Sequence, residues 1–167
     1  MSITVTKRNG KKEDLNLEKL HKVVFWATEG ITGVSASEVE IKSHIQFYNG
    51  ITTKDIQETL IKATADLITE ETPNYQFVAG RLINYGLRKE VYGKFDPCHI
   101  FEIVDKNTNS GFYDPALLST YSEGEWNYIN NFIKHQRDED FTYVAMEQFR
   151  GKYLVQNRVT KEIFETP

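Results

Sequence analysis

Near its start the chain alternates between apolar and polar side chains over residues 3–6. Ile3 and Val5 are separated by threonines, a period of two that predicts a half-buried strand over residues 3–7. Asn9-Gly10 follows, a dipeptide typical of a tight turn, and residues 11–15 can form the returning strand. We therefore predict an N-terminal β-hairpin, which must pack against another element because an isolated hairpin is barely stable.

From residue 16 onward the apolar spacing changes to three and four, which predicts helices. Helix one begins near Asn16 and ends at Gly30. Helix two begins at a capping box, Ser37 to Glu40, and ends before Gly50. The residues expected to face the core are Leu17, Leu20, Val24 and Ala27 in helix one, and Ile41, Ile45 and Tyr48 in helix two.

Two further helices complete this part of the chain. Helix three starts at Thr52-Thr53, and helix four has Thr72 as its cap, Pro73 at its first position and Gly93 at its end. Helices joined by short loops pack as a bundle, across which the hairpin would lie. The expected fold class is mainly α (α+β), a four-helix bundle capped by a small N-terminal β-hairpin or sheet. The inward residues would be Ile56, Leu60, Ala63 and Leu67 in helix three, and Val78, Leu82 and Tyr85 in helix four.

The remaining residues are less regular. Phe95-Asp96-Pro97 predicts a boundary between a domain at 1–95 and a smaller helical segment at 96–167. The apolar spacing there predicts helices at 98–105, 122–135 and 142–150, followed by a second hairpin that pairs 153–156 with 162–165. Unless another segment follows or packs against it, we expect this hairpin to leave four side chains partly exposed, namely Tyr153, Val155, Ile163 and Phe164.

Composition and charge exclude several classes of protein. The 167 residues carry a net charge of −4 and are not basic over a whole face, as nucleic-acid binders usually are. Cys98 is the only cysteine, which excludes an internal disulfide and any multi-cysteine zinc or redox site. There is neither an apolar run long enough to span a membrane nor a signal-peptide core, so we expect a cytoplasmic protein without membrane or nucleic-acid partners.

The hairpin tip concentrates positive charge, which suggests a small anionic ligand. Lys7 and Arg8 would lie over the bundle, close to Thr53 at the start of helix three and Lys89 at the end of helix four. Cationic groups and a helix N-terminus can bind a triphosphate. Nearby, Glu13, Asn16 and Lys19 lie among the apolar residues Val5, Leu15 and Leu20, a mixture that suits an adenine ring and its edge.

Each of these residues also has a simpler interpretation. Asn16 has the sequence context of an ordinary helix cap, and Lys19 can be a solvated surface lysine. Lys89 is favoured near a helix C-terminus by the helix dipole alone. The lysines of the hairpin can keep an edge strand from pairing with other chains. The residue chemistry alone therefore leaves nucleotide binding open.

The order of several motifs resembles that of a known family. "VTKRNGKKEDLNLEKL", "WATEG", "TTKDIQETLIKATADLI", "PNYQFVAGRL" and "LRKEVYGKFDP" are similar to the ATP-cone of class I ribonucleotide reductase large subunits. "GFYDPALLSTYS" and "DFTYVAMEQFRGKYLVQNRVTKEIFETP" resemble the segment that follows that cone and leads into the catalytic barrel. The resemblance covers essentially the whole chain.

The resemblance implies a regulatory domain that binds ATP as activator or dATP as inhibitor, with Mg²⁺, and that controls subunit assembly in deoxyribonucleotide synthesis. It places phosphate contacts on Lys7, Arg8, Thr53 and Lys89, and Asp55 also matches the family motif. Gln57 stands where the family has a histidine, which puts dATP inhibition in doubt. The run expected to hold base and sugar is Glu13, Asp14, Leu15, Asn16, Leu17, Glu18 and Lys19.

The resemblance also implies what the chain does not carry. The family's catalytic barrel and reactive cysteines would lie beyond residue 167, so we expect no catalytic residue, metal ligand or redox cofactor here. The implied partners are the remainder of the large subunit and the radical-generating small subunit, in a nucleotide-dependent oligomer, in the cytoplasm or in a host cytoplasm for a viral protein. The alternative is a degenerate cone that binds reductase subunits without nucleotide. A cone-containing transcription regulator would need a four-cysteine zinc module, which one cysteine excludes.

Overall fold

The computed structural model describes residues 3–167 and confirms a mainly α architecture with a small sheet. Thirteen elements follow one another along the chain. They are β1 (Thr4–Thr6), β2 (Lys12–Asp14), α1 (Leu17–Thr28), α2 (Ala36–His44), β3 (Ile51–Thr52), α3 (Thr53–Ala65), α4 (Tyr75–Val91), α5 (Ile100–Asn109), α6 (Ala116–Thr120), α7 (Glu123–Phe132), a 3₁₀-helix (His135–Asp140), α8 (Tyr143–Gln148) and a π-helical turn (Phe149–Tyr153).

The predicted N-terminal hairpin is present, and a third strand joins it. β1 pairs antiparallel with β2, with Val5 opposite Glu13, and parallel with β3, with Val5 opposite Ile51, so the strand order is β2-β1-β3. The sequence did not predict β3 because two residues are too few to show alternation. Val5 and Ile51 are buried against the helices, which confirms that the sheet caps the bundle.

Helices α1 and α3 follow the predicted bounds closely. Asn16 caps α1 by accepting a hydrogen bond from the Lys19 backbone N–H, and Gly30 has the positive φ that ends the helix region. Leu20, Val24 and Ala27 are buried as expected. The prediction for Leu17 is wrong, because this side chain at the first turn is 55% exposed and points away from the core.

The predicted face of α2 is wrong. The chain contains two overlapping Ser-x-x-Glu patterns, and Ser35 rather than Ser37 caps the helix, accepting from the Glu38 N–H. A hydroxyl from the bundle favours this register, since the Tyr75 side chain accepts a hydrogen bond from the Ser35 N–H at 2.9 Å and donates to the Glu38 carboxylate.

This register turns a different side of α2 inward. Val39 and Ser43 are fully buried, one helical turn apart. The residues that were expected in the core, Ile41, Ile45 and Tyr48, are 69%, 80% and 57% exposed. Of these, Ile41 and Ile45 line an open apolar groove between α1 and α2.

Helix α4 begins later than predicted. Its first residue is Tyr75 and its cap is Asn74, whereas Thr72 uses its hydroxyl to bond the Leu67 carbonyl at 2.7 Å in the preceding loop. The predicted stop at Gly93 is confirmed by its positive φ of 72°. Val78 and Leu82 lie in the core, as predicted.

The second part of the chain packs directly on α4. A β-carbon added at Gly80 would lie 2.1 Å from the Phe141 carbonyl oxygen, so this contact requires glycine. Met146 and Leu154 belong to the same buried cluster as the helices of the bundle. The predicted helices correspond to α5, α7 and α8, while α6 was not predicted because its five residues show little periodicity.

The predicted C-terminal hairpin is reduced to a single bridge between Gln156 and Ile163. Tyr153 and Val155 are exposed, as expected. Phe164 is buried instead, because its ring stacks on Phe112 at a centroid distance of 3.7 Å, and such packing was the stated exception to the expected exposure. Its carbonyl also accepts a hydrogen bond from the buried Asn107 side chain.

Among residues 3–167, no helix is long and apolar enough to cross a membrane.

Candidate nucleotide-binding cleft

The parallel pairing of β1 with β3 positions the start of α3 beside the hairpin. Thr6 lies opposite Thr52, and Thr52 is both the last residue of β3 and the N-cap of α3. The next residue on each strand is therefore Lys7 on the hairpin and Thr53 at the first position of the helix. A basic hairpin tip and a helix N-terminus, the positive end of the helix dipole, thus come together, as the sequence predicted.

The cleft beneath the hairpin has a largely apolar compartment of about 190 Å³. We call it the base compartment, since it contains the residues that were expected to hold an adenine edge. Its apolar lining residues are Val5, Leu15, Leu20, Val23, Ile56 and Leu60, and its polar ones include Glu13, Asp14, Asn16 and Lys19.

A second compartment of about 550 Å³ contains the predicted phosphate ligands, and we call it the phosphate compartment. Lys7, Arg8 and Lys89 contribute its cationic side chains. Thr53, Gln57 and Tyr85 line both compartments and so join them into one cleft. The structure therefore brings most of the predicted site residues to one place.

The three cations are held in different ways. Lys7 forms an ion pair with Glu13, with 2.6 Å between Nζ and the carboxylate oxygen. The Arg8 guanidinium donates a hydrogen bond to the Lys89 backbone carbonyl, which ties the hairpin to the end of α4. The Lys89 ammonium lies 5.6 Å from the centre of the Tyr85 ring. Within residues 3–167, neither Arg8 nor Lys89 forms an ion pair with a carboxylate.

The base compartment has an acceptor and a helix cap at its polar side. The hydrogen bond from Lys7 holds the pKa of Glu13 below its usual value, with smaller electrostatic contributions from Lys19 and Lys11. Glu13 is therefore an ionised acceptor near neutral pH. Asn16 uses its side-chain oxygen as the N-cap of α1, so the simpler structural role considered for it is present.

Three predicted residues lie outside this cleft. Leu17 and Glu18 line the groove between α1 and α2 instead, together with Ile41 and Ile45. Asp55 accepts a hydrogen bond from the Thr52 hydroxyl at 2.8 Å, and its backbone N–H donates back to that hydroxyl at 3.0 Å. Asp55 thereby stabilises the start of α3, where Thr53 lines the cleft.

Gln57 lines the cleft, but its side-chain nitrogen is bonded within the bundle. Its side-chain nitrogen donates a hydrogen bond to the Leu82 carbonyl at 2.7 Å. A β-carbon added at Gly86 would lie 3.2 Å from Gln57 Cγ, so α3 and α4 approach closely here. The amide is thus fixed across the two helices, and it presents no charge to a ligand.

Sequence reasoning missed Tyr85, which it assigned to the core. Burial raises the pKa of this half-buried phenol, and its ring contacts Phe95 and Trp26 at centroid distances of 5.5 and 6.1 Å. Asn9, Gly86 and Gly93 also line the phosphate compartment without having been predicted. The spacing of Tyr85 and Lys89, one helical turn apart, is the signal that could have identified the tyrosine.

Within residues 3–167, no group of three or more His, Cys, Asp or Glu side chains is arranged to hold a metal ion. Burial raises the pKa of the Cys98 thiol, which keeps it protonated and a poor nucleophile.

Comparison with known proteins agrees with the geometry. Residues 3–90 match the ATP cone domain. Over 165 residues the chain is 53% identical to ribonucleoside-diphosphate reductase subunit alpha of Haemophilus influenzae and 52% identical to ribonucleoside-diphosphate reductase 1 subunit alpha of Escherichia coli, covering 99% of this chain and 22% of each relative. The subunit alpha of Enterobacteria phage T4 is 42% identical over 167 residues, with the same coverage. The chain thus spans about a fifth of the length of these relatives, and it belongs to the ATP cone domain family.

Proposed function

We propose that this chain is an allosteric nucleotide sensor that binds ATP or dATP in the cleft between the hairpin, α3 and α4. The observation that carries the proposal is the union of an apolar compartment and a cationic compartment through Thr53, Gln57 and Tyr85. A nucleoside triphosphate has the same division, with an apolar ring at one end and a polyanion at the other.

The phosphate compartment suits a triphosphate better than a single phosphate. Lys7, Arg8 and Lys89 bring three positive charges to it, and the N-terminus of α3, the positive end of its dipole, lies at Thr53. A triphosphate has enough charge and length to contact all of these groups. Mg²⁺ would enter with the phosphates, which commonly supply much of its coordination together with water.

The base compartment suits an adenine. Val5, Leu20 and Ile56 offer apolar contact to the faces of a ring. The carboxylate of Glu13 can accept a hydrogen bond from the exocyclic amino group, which guanine lacks at the equivalent position. The compartment thus provides a physical basis for preferring an adenine nucleotide.

The relatives suggest where such a sensor acts. They are alpha subunits of ribonucleoside-diphosphate reductases, and this chain matches about a fifth of their length. We propose that ATP activates and dATP inhibits a reductase of this kind in the cytoplasm, and that the cone does so by altering how the remainder of the large subunit and the small subunit assemble. No catalytic step is assigned to the residues described here.

The test is calorimetric titration of the 167-residue chain with ATP and with dATP in the presence of Mg²⁺, while light scattering records the mass. We expect saturable binding of both nucleotides, and GTP serves as the control for base selection. Assembly upon dATP binding would mean that the output surface lies within this chain. If neither ATP nor dATP binds, the proposal is wrong.

A second function is favoured by two specific observations. The side-chain nitrogen of Gln57 donates its hydrogen bond to the Leu82 carbonyl rather than to a ligand, and an apolar groove of about 740 Å³ lies open between α1 and α2. A degenerate cone that binds reductase subunits without nucleotide would have these properties. The titration separates the two, since the degenerate cone would bind neither ATP nor dATP.

A further inference from the structure

The Lys7–Glu13 ion pair joins the two compartments of the cleft. Lys7 lines the phosphate compartment, Glu13 lines the base compartment, and their charged atoms are 2.6 Å apart. The strand register explains the contact, because Val5 lies opposite Glu13 and Lys7, just beyond the end of β1, is two residues after Val5 on the same face of the hairpin. The groups expected to bind opposite ends of a nucleotide therefore bind each other in the unliganded protein.

We propose that this ion pair is a latch that selects ligands carrying both a hydrogen-bond-donating base and a phosphate chain. This inference rests on the proposed function. The phosphates replace Glu13 as the partner of Lys7, while the amino group of the base replaces Lys7 as the partner of Glu13. Both charges regain a partner only when one ligand supplies both groups.

A ligand with one of the two groups leaves a charge uncompensated. Inorganic tripolyphosphate would take Lys7 and leave Glu13 as an unpaired carboxylate beside a polyanion. Adenosine would engage Glu13 and leave Lys7 without a counter-charge. The latch thereby reduces the affinity for fragments of the nucleotide relative to the intact molecule.

The ion pair is close but partly exposed, so a ligand can displace it. The side chains of Lys7 and Glu13 are 37% and 35% exposed, so water and salt screen their attraction. The hydrogen bond from Lys7 also keeps the pKa of Glu13 below its usual value, so the carboxylate is ionised near neutral pH. Among the cations of the phosphate compartment in residues 3–167, Lys7 is the one with a carboxylate partner.

The decisive variant is Glu13→Gln, which removes the latch while it preserves a side-chain oxygen acceptor. We expect its affinity for tripolyphosphate to rise about 3- to 10-fold, because Lys7 is free and the repelling carboxylate is gone. Its affinity for ATP should stay the same or fall, because the amino group loses a charged acceptor. A higher affinity for tripolyphosphate without a higher affinity for ATP is the signature of the latch.

Glu29→Gln is the matched control, since it removes the same charge from an exposed residue that does not line the cleft. It should change both affinities slightly and in the same direction. Melting curves for both variants verify that they are folded.

The outcomes separate this inference from the function on which it rests. If the wild-type chain binds ATP but Glu13→Gln binds tripolyphosphate no better, the latch is wrong and the sensor stands. The latch is also wrong if Glu13→Gln and Glu29→Gln increase tripolyphosphate affinity equally. If the wild-type chain binds neither ATP nor tripolyphosphate, both proposals fail.

Discussion

Two neighbouring cations at the end of α4, Arg88 and Lys89, have opposite surroundings. Arg88 is only 4% exposed, lies 3.3 Å from the Asp138 carboxylate and donates to the His135 carbonyl at 2.8 Å. Lys89 lines the open phosphate compartment and, among the described residues, has the Tyr85 ring rather than a carboxylate beside it. One charge is used inside the fold, and the other is available to a ligand.

The difference shows how a single helix serves two purposes. The side of α4 that carries Gly80 and Arg88 packs against the second part of the chain so closely that a methyl group at Gly80 would not fit. The side that carries Tyr85 and Lys89 borders a cleft of about 550 Å³. Burial and ion pairing therefore distinguish a structural cation from a candidate ligand-binding one, which the sequence "RK" cannot do.

The largest effect is expected from Arg88→Met. This change leaves the buried Asp138 without its counter-charge, and breaking a buried ion pair from one side costs about 3–5 kcal/mol. The measurement is the free energy of unfolding from urea denaturation at neutral pH. A loss below about 1 kcal/mol would mean that the pair contributes no more than an exposed one.

Lys89→Met makes the same substitution one residue later and should affect binding instead. The loss of a charged hydrogen bond to phosphate corresponds to about 1.5–3 kcal/mol, or about a 10- to 100-fold lower ATP affinity in calorimetry. Stability should change little. Lys62→Met, at an exposed position on α3 outside both compartments, is the control for lost charge. Equal losses of affinity in the two variants would contradict a direct contact from Lys89.

The smallest effect concerns pH and the group next to Arg88. Burial lowers the pKa of His135 below its ordinary value of 6.5, although Asp138 opposes this. The unfolded chain therefore takes up a proton at this residue before the folded chain does, so stability should decrease as the pH falls below about 6.5. Comparing urea unfolding of the wild type and His135→Gln at pH values on either side isolates this contribution, and identical pH dependence in both would refute it.

Much of the fold could be predicted from local patterns. Strand alternation, the Asn9-Gly10 turn and the apolar spacing of α1 and α3 are properties of short stretches, and each was confirmed. The orientation of α2 was not predictable, because two overlapping capping boxes were equally good locally. The hydroxyl of Tyr75, distant in sequence, favours the one at Ser35.

The candidate site was also predictable only where local sequence determines it. The cations of the hairpin and the threonine at the start of α3 could be predicted because charge clustering and helix starts are visible in the sequence. Tyr85 was missed because an aromatic residue at an apolar position looks like a core residue, and its spacing of one helical turn from Lys89 was the only local signal. Leu17 and Glu18 face the groove between α1 and α2 because the helix turns them away from the hairpin. A motif read along the sequence does not show which way each side chain points.

The parallel pairing of β1 with β3 also has a consequence for the order of folding. These strands are separated in sequence by both α1 and α2, so the loop between them must close before they can pair. The cost of closing this loop predicts that the start of α3 and the hairpin meet after the helices have formed. A nucleotide that bridges them would stabilise contacts formed late, and it would therefore slow unfolding more than it speeds folding.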